Sequence, residues 1–224
     1  MVRAPKRRCT SWNGVNLINA PLGAEPRPVS AVILAGGLAR RFQGEDKGLI
    51  QLSQRPLAAW VADRLSGHAS EILINANRNL GNYAALGHTV VPDCLPDNPG
   101  PLAGLLSAAR TAQQEWLLCV PCDVPFLPLD LVMQLHDHAT ASQVGLVRAA
   151  DETGTHFAVM LVHRGLIPDL EEFILGGGRQ VQSWQARHES ETIYFGDDPY
   201  AFMNINTPED LRKAERIAHR YARN

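Results

Sequence analysis

The fold and function of the chain are indicated most clearly by one stretch, Ala31-Val-Ile-Leu-Ala-Gly-Gly-Leu-Ala-Arg-Arg-Phe-Gln-Gly-Glu-Asp-Lys-Gly-Leu49. Its apolar beginning is typical of a short buried strand, and the glycine pair indicates a sharp end to that strand. Three cations follow in the same loop, at Arg40, Arg41 and Lys47. Because burying several positive charges beside one turn is costly without an anion, the stretch predicts a loop that lies against a polyanion.

Length and composition predict one globular domain with an N-terminal extension. The chain has 224 residues, of which 45% are hydrophobic and 20% are charged, as is ordinary for a globular enzyme. Residues 1–28 are net basic and contain no long apolar run, so we interpret them as a loose extension. A nucleic-acid tether, a membrane tether and a mitochondrial-type presequence are alternatives for it. Residues 29–224 would form the single domain.

Charge, hydropathy and cysteine content exclude several classes of protein. The formal net charge of −2 lacks the basic excess that is typical of nucleic-acid binders. No uncharged apolar run approaches the roughly 18 residues that a membrane-spanning helix needs. The four cysteines are few and scattered, which argues against a disulfide framework. We therefore expect a cytoplasmic protein that binds neither nucleic acid nor a membrane.

Segments with strand and helix spacing alternate along the chain. Strands are predicted at 31–35, 71–75, 88–91, 116–120, 144–147, 157–162 and 192–195, with helical patterns between most of them. This alternation predicts an α/β domain with a mostly parallel sheet. Gly36, Asn75, Asp93 and Asp123 follow four of the predicted strand ends. Since ligands bind beyond the carboxyl ends of such strands, we expect these residues to share one crevice.

The glycine-rich loop does not match two common phosphate-binding motifs. A P-loop requires Gly-Lys followed by Ser or Thr, whereas Lys47 lies between Asp46 and Gly48. The dinucleotide fingerprint requires three spaced glycines, whereas Gly36 and Gly37 are adjacent. A glycine pair alone would indicate a tight turn, but the three cations favour a nucleoside triphosphate site.

Asp123 is the candidate metal ligand. It follows a nearly continuous apolar strand and lies between Pro121 and Pro125, in a rigid turn. Mg²⁺ takes one or two carboxylates together with substrate phosphates and water, which suits a carboxylate at this position. The alternative is an aspartate that caps a helix or stabilises a turn.

Two cysteines, one histidine and two asparagines complete the set of candidates. Cys119 and Cys122 form a lone C-x-x-C pair, which we interpret as structural. His156, just before a predicted strand, is the histidine that we retain as a site candidate. Asn204 and Asn206 alternate along an extended segment, so both amides face one side, toward the last helix or toward the crevice.

Several motifs occur in order between about Ser30 and the C-terminus. They are Leu34-Ala-Gly-Gly37 with Arg41, Asp46-Lys47, Asn75-Ala-Asn77, Pro99-Gly-Pro-Leu-Ala-Gly104, Pro121-Cys-Asp-Val-Pro125 and Asn204-Ile-Asn-Thr-Pro-Glu-Asp-Leu211. Together they closely resemble the molybdenum cofactor guanylyltransferases. The resemblance implies a three-layer α/β/α nucleotidyltransferase fold. It also implies transfer of GMP from GTP to molybdopterin that carries molybdenum, with release of diphosphate.

The resemblance further implies which residues bind the nucleoside. Leu34, Ala35 and Gly36 would line the guanine and ribose. Asn75 and Asp93 would complete nucleotide recognition.

Other residues would act on the phosphates, the metal and the acceptor. Lys47 and Arg41 would hold the triphosphate, and Asp123 would bind Mg²⁺, with Mn²⁺ as an alternative. Asn204 and Asn206 would face the pterin or assist the metal. Molybdenum-insertion proteins and molybdoenzyme delivery proteins would be the protein partners.

Two departures from the family pattern concern the loop and the histidine. Phe42 and Gln43 replace the Met-Gly that usually follows the arginine, and Phe157 stands where the family often has proline after the histidine. No general base is implied, because the acceptor phosphate, with a second pKa of about 6, is largely ionised at pH 7.

Three other functions are considered for the same residues. These are cytidylyl transfer to the same cofactor, nucleotidyl transfer to a sugar phosphate, and nucleotide binding or cofactor delivery without catalysis. Gly36 favours guanylyl transfer, since the cytidylyl relatives tend to carry Ala-Ala-Gly there. The combination of Arg41, Lys47 and Asp123 argues against a protein without catalysis.

Overall fold

A seven-stranded sheet forms the centre of the molecule. The computed structural model describes residues 26–36, 38–39, 45–95 and 100–222. The strands of the sheet are β1 (Arg27–Leu34), β2 (Ala69–Asn75), β3 (Thr89–Val91), β4 (Trp116–Pro121), β5 (Leu146–Asp151), β6 (Gly154–His163) and β7 (Glu191–Tyr194). Their order across the sheet is β7-β5-β6-β4-β1-β2-β3. Strand β6 runs antiparallel to β4 and β5, and the other pairings are parallel, which confirms a mostly parallel sheet.

Helices cover both faces of this sheet. They are α1 (Leu57–Leu65), α2 (Leu80–Ala84), α3 (Pro101–Ala109), α4 (Leu131–Ser142), α5 (Ile167–Leu175), α6 (Val181–Gln185) and α7 (Pro208–Ile217). Alternate residues of β1 point to opposite faces, as in any strand. Ala31 and Ile33 belong to the apolar cluster that includes α1 and α4, whereas Val32 belongs to the cluster that includes α3, α5 and α6. The predicted three-layer α/β/α architecture is therefore confirmed.

The last helix is fixed beside the carboxyl edge of the sheet. Thr207 is its N-cap, and Thr207 and Asp210 exchange hydrogen bonds in a capping box. Ala214 and Ile217 pack against Trp60 in a third apolar cluster. This docking brings the segment just before α7 to the edge of the sheet where the predicted site residues lie.

The first strand begins earlier than the sequence predicts. Arg27 and Pro28, which we assigned to the N-terminal extension, belong to β1. The reason is that Arg27 is held at both of its ends. Its backbone N–H donates to the carbonyl of His68 at 2.9 Å, and its guanidinium pairs with Asp137 at 2.8 Å. Residues 1–25 of the predicted extension lie outside the described residues.

Two short antiparallel ribbons follow β1. Leu38–Ala39 pairs with Glu45–Asp46, and Gln51–Leu52 pairs with Arg55–Pro56. Between the ribbons, Lys47–Leu49 forms a single 3₁₀ turn. A search of the described residues finds no helix with the length and apolar character needed to cross a membrane.

Candidate active site

A cavity of about 450 Å³ opens at the carboxyl ends of β1, β2 and β4. The residues that line it are Leu34, Gly36, Lys47, Asn75, Asn77, Asp93, Gly100, Pro101, Pro121, Cys122, Asp123, Ala158, Asn204 and Asn206. The four residues expected to share one crevice, Gly36, Asn75, Asp93 and Asp123, are therefore together. The convergence follows from the parallel direction of the strands, since their carboxyl ends meet at one edge of the sheet.

The carboxylate of Asp93 is held by two asparagine side chains. Nδ2 of Asn75 donates to Oδ1 of Asp93 at 2.8 Å, and Nδ2 of Asn77 donates to Oδ2 at 2.8 Å. The backbone N–H of Asp93 donates in return to Oδ1 of Asn77, also at 2.8 Å. Asn75 is further fixed by a bond from Nδ2 to the carbonyl of Val91. Because each carboxylate oxygen can accept two hydrogen bonds, Asp93 keeps acceptor capacity for a ligand.

A glycine in α3 allows this network to form. A Cβ on Gly104 would overlap Oδ1 of Asn75 and lie 2.8 Å from Cδ2 of Leu34. Carbon atoms pack favourably at about 3.5–4.0 Å, so no side chain fits here without moving its neighbours. The Pro-Gly-Pro-Leu-Ala-Gly motif thus places a bare backbone against Asn75.

Lys47 joins the 3₁₀ turn to the end of β4. Its Nζ forms an ion pair with Asp123 and donates to Oδ1 of Asn206 at 2.6 Å. The side chain of Asp123 is 10% exposed and that of Lys47 is 21% exposed, so solvent screens this pair only partly. Both amides predicted to share one side, Asn204 and Asn206, line the cavity.

The backbone around Asp123 is tied to two other elements. The N–H of Cys122 donates to the carbonyl of Leu34 at 3.0 Å, and the N–H of Ile205 donates to the carbonyl of Asp123 at 2.9 Å. These bonds fix the turn against β1 and against the segment that leads to α7. The Asp123 carboxylate is consequently presented to the cavity from a rigid support.

The donor set beside Lys47 is compatible with a weakly ligated hard cation. No group of three or more His, Cys, Asp or Glu side chains within the described ranges is placed to hold a metal. Asp123 and the amide oxygens of Asn204 and Asn206 are hard oxygen donors that share the cavity wall. Mg²⁺ typically takes one or two carboxylates and completes its shell with phosphates and water, so these residues fit it.

Of the predicted nucleotide-site residues that the structure describes, Ala35 does not line the cavity. Ala35 is 1% exposed, packs in the core, and donates its N–H to the carbonyl of Asn75 at 2.8 Å. Arg41 lies outside the described residues, as do Phe42 and Gln43, where the sequence departs from the family pattern. The roles assigned to Ala35 and Arg41 stay predictions.

His156 is absent from the cavity wall. Its ring stacks on Phe202 with centroids 4.5 Å apart, and its Nε2 lies 3.0 Å from Asp151. Burial alone would raise the pKa of Asp151, but hydrogen bonds from Thr153 and the nearby imidazole of His156 outweigh it and hold that pKa below its ordinary value. The observed contacts of His156 are thus with protein side chains.

The two cysteines of the C-x-x-C pair lie in different apolar clusters. Cys119 packs with α3 and α5, whereas Cys122 packs with α1 and α4. Burial raises the pKa of Cys119 to about 12 and raises that of Cys122 as well. Neither thiol is a ready thiolate, which agrees with the structural role that we predicted.

Sequence reasoning missed several residues of the cavity. Asn77 follows Asn75 by two positions, so strand alternation could have placed both amides on one side. Ala158 lines the cavity and lies where the pairing of β6 with β5 is irregular, between His156 and Met160. No local signal in the sequence predicts that irregularity.

A family model described as the MobA-like NTP transferase domain matches residues 31–192, more than half of the chain. The chain belongs to this family. Its members are nucleotidyltransferases, so the protein is an enzyme of that class.

Curated relatives confirm the resemblance on which the sequence analysis relied. A molybdenum cofactor guanylyltransferase of Shewanella loihica is 41% identical over 192 residues, which cover 85% of this chain and 98% of the relative. A protein of the same name from Shewanella woodyi is 42% identical over 191 residues, covering 85% of this chain and 97% of the relative.

Solved structures confirm the fold. Molybdopterin-guanine dinucleotide biosynthesis protein A from Archaeoglobus fulgidus superposes with a TM-score of 0.69 at 21% identity, covering 85% of this chain and 99% of that one. A CMP:2-keto-3-deoxy-manno-octonic acid synthetase solved with CTP gives a TM-score of 0.70 at 12% identity, covering 87% and 99%. At such identities the likeness concerns the fold alone.

Proposed function

We propose that this enzyme transfers GMP from GTP to molybdopterin carrying molybdenum, with release of diphosphate, in a Mg²⁺-dependent reaction. The observation that carries the proposal is the presence, in one cavity, of a braced carboxylate at Asp93 and the Lys47–Asp123 ion pair. The first group suits a nucleobase that donates hydrogen bonds, and the second suits phosphates and a metal. The curated relatives carry the name of this activity over almost their whole length.

The braced carboxylate favours guanine over the other bases. Guanine offers two adjacent N–H donors on one edge, at N1 and at the 2-amino group, whereas adenine and cytosine each offer one amino group. Asn75 and Asn77 occupy one acceptor position on each oxygen of Asp93. A second acceptor position on each oxygen is then available for the guanine edge. Leu34 and Gly36, at the end of β1, would contact the rest of the nucleoside.

At the other end of the cavity, the ion pair would open when the nucleotide binds. Lys47 would leave the Asp123 carboxylate and bind the triphosphate, which Arg41 would also bind. The Asp123 carboxylate would then be available to Mg²⁺ or Mn²⁺. The bound metal would neutralise charge on the phosphates. Asn206 accepts from Lys47 and so limits where the ammonium can move, while Asn204 would face the metal or the acceptor.

The bond changes need no protein general base. An oxygen of the acceptor phosphate attacks the α-phosphorus of GTP, and the bond between the α-phosphorus and the bridging oxygen to the β-phosphorus breaks. The electron pair of that bond leaves with diphosphate. Because the acceptor phosphate is largely ionised near pH 7, the protein's contribution is positioning and charge neutralisation.

We also propose that the enzyme is cytoplasmic and that molybdenum-insertion and molybdoenzyme delivery proteins are its partners.

Nucleotide selectivity is the experiment that tests the proposed function. GTP, CTP and ATP are titrated calorimetrically with Mg²⁺, and diphosphate release is then followed with molybdenum-loaded molybdopterin. We expect tight binding and turnover with GTP alone. A preference for CTP would favour the cytidylyl reaction instead, and binding of GTP without diphosphate release would favour a carrier protein.

A further inference from the structure

Tyr83, on α2, lies at the base of the loop that carries Arg41. Its side chain is fully buried, and its hydroxyl donates to Oδ1 of Asp46 at 2.6 Å. The same oxygen lies 3.5 Å from the carbonyl oxygen of Ala35. Ala35 and Asp46 stand on either side of that loop in the sequence, so one phenol contacts both of its ends.

The carboxylate of Asp46 is a buried charge that needs hydrogen bonds. Asp46 is 7% exposed, and its second oxygen accepts from Nδ2 of Asn79 at 3.3 Å. Tyr83 supplies the shorter bond, and burial together with this bond raises the pKa of Tyr83, which keeps its hydroxyl protonated as a donor. Since Lys47 is the next residue, a fixed Asp46 fixes the backbone from which the lysine enters the cavity.

The ring of Tyr83 also packs against the other side of the turn. A Cβ on Gly48 would lie 2.6 Å from the Tyr83 hydroxyl oxygen and 3.0 Å from its Cε1 atom. The glycine backbone is therefore in direct contact with the phenol. Tyr83 thus touches the residue before Lys47 and the residue after it, whereas Tyr83 itself is not part of the cavity wall.

We propose that Tyr83 is a positioning residue for nucleotidyl transfer, holding the turn through Asp46 and Gly48 so that Lys47 is aimed at the nucleotide phosphates. The inference rests on the role proposed above for Lys47. If Tyr83 merely filled the core, its substitution would lower the stability of the protein and leave the action of Lys47 intact. If Tyr83 positions Lys47, its substitution would lower the rate of nucleotidyl transfer.

Tyr83→Phe removes the hydroxyl and keeps the ring. Tyr221→Phe is the matched control, because the Tyr221 hydroxyl also donates to an aspartate, Asp198, at 2.6 Å and lies outside the cavity wall. Urea unfolding reports the stability of each variant, and diphosphate release reports kcat/KM for the nucleotide. We expect Tyr83→Phe to lower kcat/KM about tenfold, the size that loss of one charge-assisted hydrogen bond produces, and Tyr221→Phe to stay within about twofold.

A double-mutant cycle then shows whether the effect passes through Lys47. In a Lys47→Ala background, adding Tyr83→Phe should cause no further loss of GTP affinity, measured by calorimetry, or of kcat/KM. A further tenfold loss, an equal loss in Tyr221→Phe, or full activity of Tyr83→Phe would overturn the inference. Full activity of Lys47→Ala would instead contradict the role proposed for Lys47, and no diphosphate release from GTP by the parent enzyme would contradict the proposed function, so the failures are distinguishable.

Discussion

Replacement of Gly104 by alanine tests the packing at the nucleoside end of the cavity. The added methyl group would overlap Oδ1 of Asn75 and come within 2.8 Å of Leu34. Asn75 must then move, and its movement breaks the 2.8 Å bond from Nδ2 to Asp93. The substitution would therefore act on the proposed nucleotide recognition through atoms that it does not itself replace.

The magnitude follows from opposing effects. Alanine in a helix interior gains about 1 kcal/mol over glycine, whereas overpacking costs about 1–3 kcal/mol, so the net loss of stability is roughly 0–2 kcal/mol and the protein stays folded. A hydrogen bond to a charged group contributes about 1.5–3 kcal/mol, and its loss falls on the site. We therefore expect the affinity for GTP to fall about 10- to 150-fold.

Calorimetric titration of GTP with Mg²⁺ measures this loss, and Gly81→Ala is the matched control. Gly81 lies in α2, and nothing lies within 4 Å of a Cβ built there. Gly81→Ala should bind GTP as the parent does, and its free energy of unfolding in urea should be higher by about 0.4–1 kcal/mol. An unchanged GTP affinity in Gly104→Ala, with stability lowered, would refute the proposed link between the glycine and Asn75.

Three further predictions concern the base, the last helix and a cysteine. Asn77→Ala removes one amide donor to Asp93 and should lower the preference for GTP over ATP about tenfold in competition calorimetry; an unchanged preference would show that one amide suffices. Burial raises the pKa of Asp210, but hydrogen bonds from Thr207 outweigh it and set that pKa below its ordinary value. The ionised Asp210 therefore stabilises the fold above the unfolded-state pKa of about 3.9, and this stabilisation is lost as pH falls through the folded-state pKa. Asp210→Ala should lower the free energy of unfolding by about 1 kcal/mol in urea melts at pH 7. A loss of stability that did not shrink below pH 4 would contradict this. Burial raises the pKa of Cys119 to about 12, so after treatment of the folded enzyme with an alkylating reagent at pH 8, mass spectrometry should find Cys119 unmodified. Rapid alkylation of Cys119 would contradict its buried position.

The parallel part of the sheet could be predicted because its strands are apolar runs with sharp ends. Polar residues that follow those ends meet at one edge, and this geometric rule places Asn75 and Asp123 in a shared cavity without any long-range information. The same rule does not define strand length. Strand β5 continues to Asp151 and β6 begins at Gly154, whereas the apolar pattern alone predicts a much longer connection.

The start of the antiparallel strand β6 has a turn signal in the sequence, although its first residues are not apolar. Two residues separate β5 from β6, and Gly154 adopts a φ of 128°, a conformation that glycine favours in tight turns. A polar pair followed by glycine indicates such a hairpin. The apolar run itself begins only at Phe157, which is why the predicted strand starts there.

The contacts that hold Lys47 could not be predicted from sequence. Tyr83 reaches Asp46 across 37 positions of the chain, and Asn206 reaches Lys47 across 159. Neither residue has a spacing or a neighbour that indicates such a partner. The resemblance to a family predicts a role for Lys47 in the site, but the packing that orients it becomes visible only in three dimensions.

Diphosphate release with Mg²⁺ and molybdenum-loaded molybdopterin is the measurement that tests the central claim most directly, comparing GTP with CTP for the parent enzyme and for Asp123→Asn. We predict release with GTP and not with CTP for the parent, and loss of release in Asp123→Asn while its urea unfolding stays cooperative. Equal release with CTP, or full release by Asp123→Asn, would contradict the account.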